Sequence, residues 1–539
     1  MGAVGIRRLV IVFCALLACA CNSNSAPVDR ALENGMLIVA NGAEPTTLDP
    51  HLTVGQPEAN IMSALSEGLV VQDPDDYGAV RPGVAKSWRH SDDFRQWTFE
   101  LRKDARWSDG RPLTADDFVY SFRRMLSPRL GSEAADLLHV ISNAAAYNEG
   151  KIDDFAEVGI AAPDPHRLEL TLEYPAPYLL SMLAGSAFFP VNRSAVEAGG
   201  VYDDAENRWA SVGTYVGNGP FLLSEWRVNQ FVLLERNPQY WDAANVALNA
   251  VRFVPLVNQD EELQAFLDGK VHATTSIPSE NLALARKLRP EAIVNEELLG
   301  VDMYQFNTRQ HPFDDVRVRR ALAMALDRQE LVREAGGDRK AVAGFVPPGI
   351  PGYPTVPVPA PDIERARRLL AEAGYPAGKG FPATTILVND FKPHREMANR
   401  VSAMWRRTLG ITVDVQAMSW KNYLDATATR QFQIARIGWV SGYLDPGAFL
   451  DILKSIGFRR ETGWSDPDYD ATIEMARGMT DRAKRMATMR RAEDLMLAQQ
   501  PVMPISNYST TYLLDPRVKG WGRSIDGNRV YKFMSFASN

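Results

Sequence analysis

The chain has 539 residues, of which 45% are hydrophobic and 23% are charged, and its formal net charge is -7. These fractions are ordinary for soluble globular proteins, and the length exceeds the roughly 250–300 residues at which one hydrophobic core stops growing. More than one domain is therefore expected. The acidic balance, with no long Lys/Arg run, argues against a nucleic-acid partner, because a phosphate backbone demands basic stripes.

The amino terminus has the pattern of a secretory signal. Arg7 and Arg8 precede an apolar run from Leu9 to Ala18, and a polar segment from Asn22 to Pro27 follows. A charged region before a short apolar region is typical of an export signal. The run is too short to span a bilayer, which needs about 20 apolar residues. A buried amino-terminal helix is the alternative interpretation.

All three cysteines, Cys14, Cys19 and Cys21, lie in or beside this signal. The remainder of the chain therefore has no disulfide, and its stability must come from a large core. The tetrapeptide LLAC ending at Cys19 resembles a bacterial lipobox, and ACAC ending at Cys21 is a second candidate register. This resemblance implies that one of the two cysteines is acylated, whereas apolar filler within a signal is the alternative.

From these features we predict a lipoprotein signal and lipobox at residues 1–21 and a tether at residues 22–36. The mature protein would be exported to the periplasm or cell surface and held on a membrane by its lipid. Neither register places Asp after the cysteine, which leaves open whether the inner or the outer membrane carries the protein.

Short alternating patterns predict strands between helices. Apolar and polar residues alternate from Gln96 to Arg102, from Leu168 to Glu173 and from Ile411 to Val415. Asp314 and Asp362 are predicted to cap helices whose apolar residues recur on one face. Gly374 suits the left-handed position that ends the second of these helices. Mixed strands and helices throughout the chain indicate α/β lobes.

The densest Pro/Gly-rich stretch runs from Val346 to Pro361. The sequence allows two interpretations, a linker between domains or a rigid loop inside one lobe. No internal repeat is evident.

A search for catalytic and metal-binding motifs is negative. No two histidines are spaced for an HExxH helix, and the mature body has no cysteine for zinc binding or nucleophilic catalysis. Ser441 lies one place too late in its glycine-flanked segment for a GxSxG nucleophile elbow. A carboxylate pair of the glycosidase type is not excluded by counting. We expect no enzyme, no cofactor and no metal. The seven histidines are His51, His90, His139, His166, His272, His311 and His394.

Several motifs follow one another in an order that carries a resemblance to a known family. They include Asn41–Pro50 (NGAEPTTLDP), Trp97–Gly110 (WTFELRKDARWSDG), Thr114–Ser121 (TADDFVYS), Asn218–Phe221 (NGPF), Asn237–Trp241 (NPQYW) and Pro312–Arg319 (PFDDVRVR). From about Asn41 to about Tyr531 the chain resembles the oligopeptide-binding branch of the bacterial extracellular solute-binding proteins, family 5, which serve ABC importers.

The resemblance implies an α/β fold with the two lobes of a type II (Venus-flytrap) periplasmic binding protein and an additional inserted α/β domain. Lobe I would comprise residues 37–72, 188–277 and 509–539, the inserted domain residues 73–187, and lobe II residues 278–508. The protein would be a monomer that captures an oligopeptide or peptide-like ligand between its lobes and delivers it to an ABC permease.

The segment from Ala435 to Pro446 resembles the strand and turn that line the ligand site in this family. The resemblance implies that Arg436 faces a ligand carboxylate or carbonyl and that Gly438 permits close approach of the ligand backbone. Trp439 would form an apolar wall and Val440 would offer main-chain hydrogen bonds. As alternatives, Trp439 and Tyr443 are core aromatics and Arg436 lies at the surface. The predicted ligand residues of this segment are Arg436, Gly438, Trp439, Val440, Gly442, Tyr443 and Asp445.

Three further residues match cleft positions of the family, namely Glu58, Trp420 and, more weakly, His394. The alternative for Glu58 is an exposed residue at the start of a helix. The alternative for Trp420 is core packing.

One departure from the family pattern concerns the ligand's amino group. In the peptide binders an Asp just before the Tyr of the turn pairs with the ligand's free α-amino group, but here that position is Gly442, and Thr427 stands where the branch has an Arg. A buried ammonium needs a partner, because an isolated charge is costly in a low dielectric. The ligand would then be a blocked, modified or cell-wall peptide, or another residue would hold its amine; whether nearby Asp445 reaches the same point is left open by the sequence.

Two other functions remain open at this stage. One keeps the fold but makes the protein a sensor or chaperone-like lipoprotein without an importer. The other is a secreted hydrolase that acts in the cleft.

Overall fold

A computed structural model describes residues 26–53, 55–336, 338–455 and 461–537. The predicted signal and the lipidation candidates Cys19 and Cys21 lie outside these residues and stay predictions. None of the described helices combines the length and the apolar character that crossing a membrane requires.

The strands are spread along the whole described chain. They are β1 (Met36–Ala40), β2 (Val70–Gln72), β3 (Val80–Pro82), β4 (Ala85–His90), β5 (Gln96–Leu101), β6 (Ile160–Asp164), β7 (Arg167–Thr171), β8 (Phe221–Arg227), β9 (Phe231–Arg236), β10 (Ala250–Val254), β11 (Ile293–Phe306), β12 (Thr384–Asn389), β13 (Val413–Met418), β14 (Ile434–Val440), β15 (Val502–Leu513), β16 (Val518–Lys519) and β17 (Ser535–Phe536).

The α-helices alternate with these strands. They are α1 (Pro27–Glu33), α2 (Gln56–Leu65), α3 (Ala115–Met125), α4 (Ala144–Asn148), α5 (Leu179–Leu183), α6 (Arg193–Gly199), α7 (Gln259–Leu267), α8 (Leu282–Leu288), α9 (Val316–Met324), α10 (Arg328–Ala335), α11 (Ile363–Glu372), α12 (Lys392–Leu409), α13 (Trp420–Ala428), α14 (Gly447–Leu450), α15 (Pro467–Arg477) and α16 (Arg482–Gln499).

Three larger sheets organise the fold. One has the strand order β1-β10-β9-β8, a second has the order β13-β12-β14-β11-β15, and a third has the order β4-β5-β7-β6. The third sheet is antiparallel throughout, whereas the other two mix parallel and antiparallel pairs. The mixed sheets with helices packed on them confirm the expected α/β class.

Each large sheet has its own hydrophobic core. The buried cluster around β4-β5-β7-β6 runs from Leu69 to Phe188, which is close to the predicted inserted domain at residues 73–187. A second cluster packs on the β1 sheet and includes Trp209, while two more cover the five-stranded sheet and include Trp405 and Tyr469. Separate cores are what the chain length predicts.

The long strands β11 and β15 connect two of these cores. Their antiparallel pairing starts at Ile293 with Leu513 and ends at Gln305 with Val502, and its register shifts between Glu297 and Val301. Leu513 packs in a cluster with α1, α7 and α8, whereas the other ends of both strands enter the core of the five-stranded sheet. Strands β11 and β15 therefore run from one hydrophobic core to the other.

Helices α1 and α8 pack differently from what the predicted domain division implies. Helix α1 falls within the predicted tether, yet its Val28 and Ala31 are buried. Helix α8 falls within predicted lobe II, yet Leu282 and Ala285 pack in the same cluster as Leu263 of α7. Apolar side chains bury where a complementary face is available, which the linear sequence does not reveal. The division of residues among the lobes stays a prediction.

The predicted helix caps and helix end are observed at or within one residue of their predicted positions. Asp362 accepts a hydrogen bond from the Arg365 amide at 3.0 Å as the cap of α11, and Gly374 follows with a φ of +100°. At α9 the cap is Asp315 instead of the predicted Asp314, and the Asp315 carboxylate accepts a hydrogen bond from the Arg317 amide at 2.8 Å. Asp314 belongs to the preceding turn, in which its amide donates to the Gln310 carbonyl.

The Pro/Gly-rich segment is a packed loop inside one lobe. Glu493 of α16 accepts hydrogen bonds from the Val346 amide at 2.9 Å and from the Tyr353 hydroxyl at 2.7 Å. Ile350 between them is buried in the same core. Of the two interpretations that the sequence allowed, this packing favours a loop inside one lobe.

Candidate functional site

A cavity of about 460 Å³ lies where β11, β15 and the carboxyl-terminal segment meet the second lobe. Its volume falls within the range of about 300–1,000 Å³ that is typical of ligand sites. Gln56 and Asn60 of α2 and Gly527 contribute to one side, while Arg339 and Phe391 contribute to the other. The largest continuous part of its wall comes from β15, through Asn507, Tyr508, Ser509, Thr510, Thr511 and Tyr512.

Arg436 lies behind this wall and is already paired. Its Nε donates to Asp302 Oδ1 at 2.7 Å, and both side chains are buried. Asp302 lines the cavity and also has Arg339 Nη1 3.4 Å from its Oδ2. Burial alone would raise the pKa of Asp302, but the charges of Arg436 and Arg339 hold it below its ordinary value. The structure thus directs the Arg436 charge towards Asp302, and its predicted contact with a ligand stays untested.

Gly438 occupies a position where a side chain would collide with the cavity wall. In the register of the sheet it stands opposite Asp302, and an added Cβ would lie 2.8 Å from both Tyr508 Cε2 and Arg436 Nη2. Glycine at this position therefore lets the Tyr508 ring and the Arg436 guanidinium pack side by side.

Strand β14 pairs with β12 only at its start, whereas its pairing with β11 continues to its end. The ladder with β12 covers Ile434 and Ala435, and beyond Ala435 the described strand pairing continues with β11. Val440, at the end of the strand, lines the cavity. This location is compatible with the predicted main-chain contacts to an extended ligand.

The turn after β14 contacts the inserted domain. The Tyr443 ring stacks on Tyr178 with 5.3 Å between ring centroids, and the Leu444 amide donates to Ser181 Oγ at 3.3 Å. The indole of Trp439 donates to the Ala448 carbonyl at 2.9 Å. The contacts of Tyr443 and Leu444 connect this turn to the predicted inserted domain, whereas the Trp439 hydrogen bond lies within the predicted second lobe.

Asp445 is committed to an internal ion pair. Its carboxylate accepts from Arg485 Nη1 at 2.5 Å and from Nη2 at 2.8 Å, and both residues are buried. Removing a buried carboxylate from such a pair to bind a ligand would leave a guanidinium uncompensated. The structure therefore does not favour Asp445 as the substitute for an Asp at position 442.

Glu58 and Trp420 have contrasting surroundings. The Glu58 carboxylate is buried and accepts from the Thr46 amide at 2.7 Å and the Thr46 hydroxyl at 2.9 Å, so it fixes the loop before α2. Trp420 is 59% exposed and stacks on Tyr423. Neither an exposed Glu58 nor a core-packed Trp420 is observed, and the ligand contacts of both stay predictions.

His394, the weakly matched cleft residue, lines the cavity, and its Nδ1 lies 2.7 Å from Asn389 Oδ1. Burial and the Arg436 charge lower the pKa of His394 to about 3, so the ring is neutral at physiological pH. Thr427, at the position where the family branch has an Arg, is buried within α13. Its hydroxyl donates to the Leu424 carbonyl at 3.0 Å.

The sequence analysis did not single out Asp302, Arg339, Tyr508 or Asp526, all of which line the cavity. A weak signal existed in the polar run from Ser506 to Thr511, which is unusual for a strand that crosses between two cores. Periodicity alone does not identify which polar strand faces a ligand.

The wall formed by Thr275 and Ser276 rests on a buried carboxylate with a perturbed pKa. Glu262 of α7 accepts from the Thr275 amide at 2.8 Å and from the Thr275 hydroxyl at 2.7 Å. Burial raises the pKa of Glu262 to about 6 from its usual 4.5. A carboxyl whose folded-state pKa is raised loses stability as pH rises from the unfolded value towards the folded one.

We therefore expect Glu262→Gln to gain stability relative to the wild type as pH rises from 4 to 7, by about 2 kcal/mol over that window. The amide keeps an acceptor for the Thr275 amide and removes the ionisation. Urea unfolding at several pH values measures the difference. A stability difference that does not change with pH would contradict the raised pKa.

The comparisons with known proteins agree with this architecture. Residues 79–457 match the family described as bacterial extracellular solute-binding proteins, family 5 Middle. The periplasmic oligopeptide-binding protein OppA of Escherichia coli strain K12 is 34% identical over 504 residues, covering 91% of this chain and 90% of that protein.

The chain belongs to family 5 of the bacterial extracellular solute-binding proteins.

Solved structures of family members share the whole fold. The murein tripeptide-binding protein MppA of Escherichia coli has a TM-score of 0.84 at 33% identity, covering 94% of this chain and 99% of that one. Haemophilus influenzae OppA in complex with the peptide RPPGFSPFR has a TM-score of 0.83 at 30% identity, with the same two coverages of 94% and 99%. The two-lobed type II fold expected from the sequence is thus confirmed.

An MppA structure in an unliganded open form scores lower. Its TM-score is 0.74, although the identity of 33% and the coverage of 94% of this chain and 98% of that chain are nearly unchanged. The present structure is therefore less similar overall to that unliganded open form than to the other two structures.

Proposed function

We propose that this protein captures peptides or peptide-like ligands between its lobes and delivers them to an ABC importer. The observation that carries the proposal is the cavity at the junction of the lobes, bordered by β15 and by the end of β14. A cavity bordered by strands can bind an extended main chain by strand addition, while side chains of many kinds remain tolerated. Family members are binding proteins, which supports binding over catalysis.

The relatives show that overall similarity does not decide the ligand. A probable deoxycholate-binding periplasmic protein of Escherichia coli strain K12, YgiS, is 34% identical over 489 residues, covering 89% of each chain. The oligopeptide-binding relative OppA has the same identity of 34%. A modified or cell-wall peptide, or a non-peptide solute, is therefore the second candidate, and it is favoured by the glycine at position 442.

Native mass spectrometry of the signal-free protein, followed by denaturation, tests the proposal. We expect a series of short peptides to be released from the purified protein. A single non-peptide species would keep the fold and overturn the peptide assignment. The same released peptides should remain uncut on incubation with fresh protein, because conversion to products would favour the hydrolase.

Delivery to an importer is tested separately from binding. Cells that lack this protein should lose uptake of the identified ligand and regain it with the wild-type gene. Unchanged uptake would favour a sensor or chaperone-like lipoprotein that has no importer.

We further propose that the protein is an exported monomer anchored to a membrane by a lipid on Cys19 or Cys21. The signal-like segment and the extracytoplasmic location of relatives named as periplasmic support this proposal. Mass spectrometry of the mature amino-terminal peptide identifies the acylated cysteine. Replacing Cys19 and Cys21 one at a time should release the protein from membranes in one variant only, and size-exclusion chromatography tests the monomer.

A further inference from the structure

The charges that line the cavity indicate what a ligand must carry. Two of the lining carboxylates already have guanidinium partners. Glu296 accepts from Arg529 Nη1 at 2.9 Å, and Asp302 accepts from Arg436 at 2.7 Å with Arg339 nearby. These pairs leave little attraction for a further cation.

Asp526 is a lining carboxylate with a different environment. It is half-buried, and it accepts from Ser524 Oγ at 2.7 Å, from Asn528 Nδ2 at 2.8 Å and from Gln72 Nε2 at 3.3 Å. These donors are all neutral, so they orient the carboxylate without cancelling its charge. A partly desolvated carboxylate in this state attracts a cation more strongly than one in water.

The space beside this carboxylate is open on the side of Gly442. A Cβ built on Gly442 would lie 3.6 Å from Asp526 Oδ2, and within the described chain no other heavy atom beyond the adjoining residues comes within 4 Å of it. Gly442 belongs to the turn after β14, whereas Asp526 belongs to the carboxyl-terminal segment. The carboxylate therefore faces a gap between two parts of the chain that are distant in sequence.

We propose that Asp526 binds an ammonium group of the ligand in the space left by Gly442. This inference rests on the proposed peptide-binding function and deepens it, because it makes the ligand one with a free amine near the junction of the lobes. It also separates two of the ligand classes that the sequence left open: peptides with a free amine are accepted, whereas amine-blocked peptides are not.

The test uses a library of tripeptides to pentapeptides in free-amine and N-acetylated forms, whose best-bound pair is then titrated by calorimetry. For the wild type we expect acetylation to weaken binding about 30-fold or more, since one partner of a desolvated charge pair is removed. Asp526→Asn should weaken binding of the free peptide by a similar factor and abolish discrimination between the two forms.

Two further variants keep the test decisive. The double variant Gly442→Asp with Asp526→Asn places a carboxylate in the same gap from the opposite side, and it should restore much of the discrimination. Asp468→Asn removes an exposed carboxylate of α15 that lies outside the cavity lining, and it should change affinity by less than about threefold, as expected for a solvated charge.

Equal binding of both peptide forms by the wild type, or retained discrimination in Asp526→Asn, would overturn the role of Asp526. Failure of both peptide forms to bind the wild type would instead overturn the proposed peptide-binding function, so the two failures are distinguishable.

Discussion

Replacing Arg436 by methionine is expected to destabilise the protein by about 3–5 kcal/mol at pH 7, because it leaves the buried Asp302 carboxylate without its nearest cation. Asp302 has a lowered pKa in the folded protein, so its pair contributes stability that is lost as pH falls through that folded pKa. In Arg436→Met the pKa of Asp302 should instead rise. The difference between wild type and variant should therefore be largest where Asp302 is ionised in both proteins. It should shrink as pH falls, first through the raised pKa of Asp302 in the variant and then through its lowered pKa in the wild type.

Urea unfolding of the variant across this pH range measures the effect. Arg193→Met is the matched control, since Arg193 forms an exposed pair with Glu197 at 2.8 Å and should cost less than about 1 kcal/mol. The double variant Arg436→Met with Asp302→Leu should be more stable than Arg436→Met alone. Equal losses of unfolding free energy in Arg436→Met and Arg193→Met would show that the buried ion pair stabilises the protein no more than the exposed one.

Replacing Gly78 by alanine is expected to weaken ligand binding about fivefold, because the Leu444 side chain must shift wherever the two parts of the chain are in contact. An added Cβ at Gly78 would overlap Leu444 Cδ1, which belongs to the turn that contacts the inserted domain. Overpacking of this kind costs about 1–3 kcal/mol, and the cost falls only on the state in which the two parts are in contact. Small-angle scattering should show a larger ligand-bound radius of gyration than that of the wild type.

Gly110→Ala is the control that distinguishes the steric overlap with Leu444 from the backbone strain of a positive φ. Gly78 has a φ of +80°, and Gly110 has a φ of +86° with nothing within 4 Å of an added Cβ. Gly110→Ala should therefore share the strain of about 1 kcal/mol but leave ligand affinity unchanged. Leu444→Ala combined with Gly78→Ala should recover most of the affinity. Equal affinity losses in the two single glycine variants would contradict an effect on lobe closure.

The elements that the sequence predicted well depend on neighbours a few residues apart. Asp362 caps α11 because its side chain reaches an amide three positions later. Strand β5 follows its alternating pattern because period 2 places Trp97, Phe99 and Leu101 on one buried face. The ordered family motifs extended this local information to the whole two-lobed fold.

The site was predicted less completely because its residues come from distant parts of the chain. Position 436 was identified from its motif, but its partner Asp302 lies 134 residues away and is brought to it by the pairing of β11 with β14. Asp445 seemed available from sequence, yet the fold places Arg485 against it. Which carboxylates are already paired depends on these long-range contacts and not on the motif.

The amino-acid sequence therefore determined the family, the α/β class and the missing carboxylate at position 442, because each of these follows from local pattern and motif order. Only the tertiary structure decided that β15 forms much of the cavity wall, that Arg436 and Asp445 are held in internal ion pairs, and that Asp526 faces the gap beside Gly442. These features arise where strands from different parts of the chain cross, and hydrophobic packing of separate cores sets that crossing.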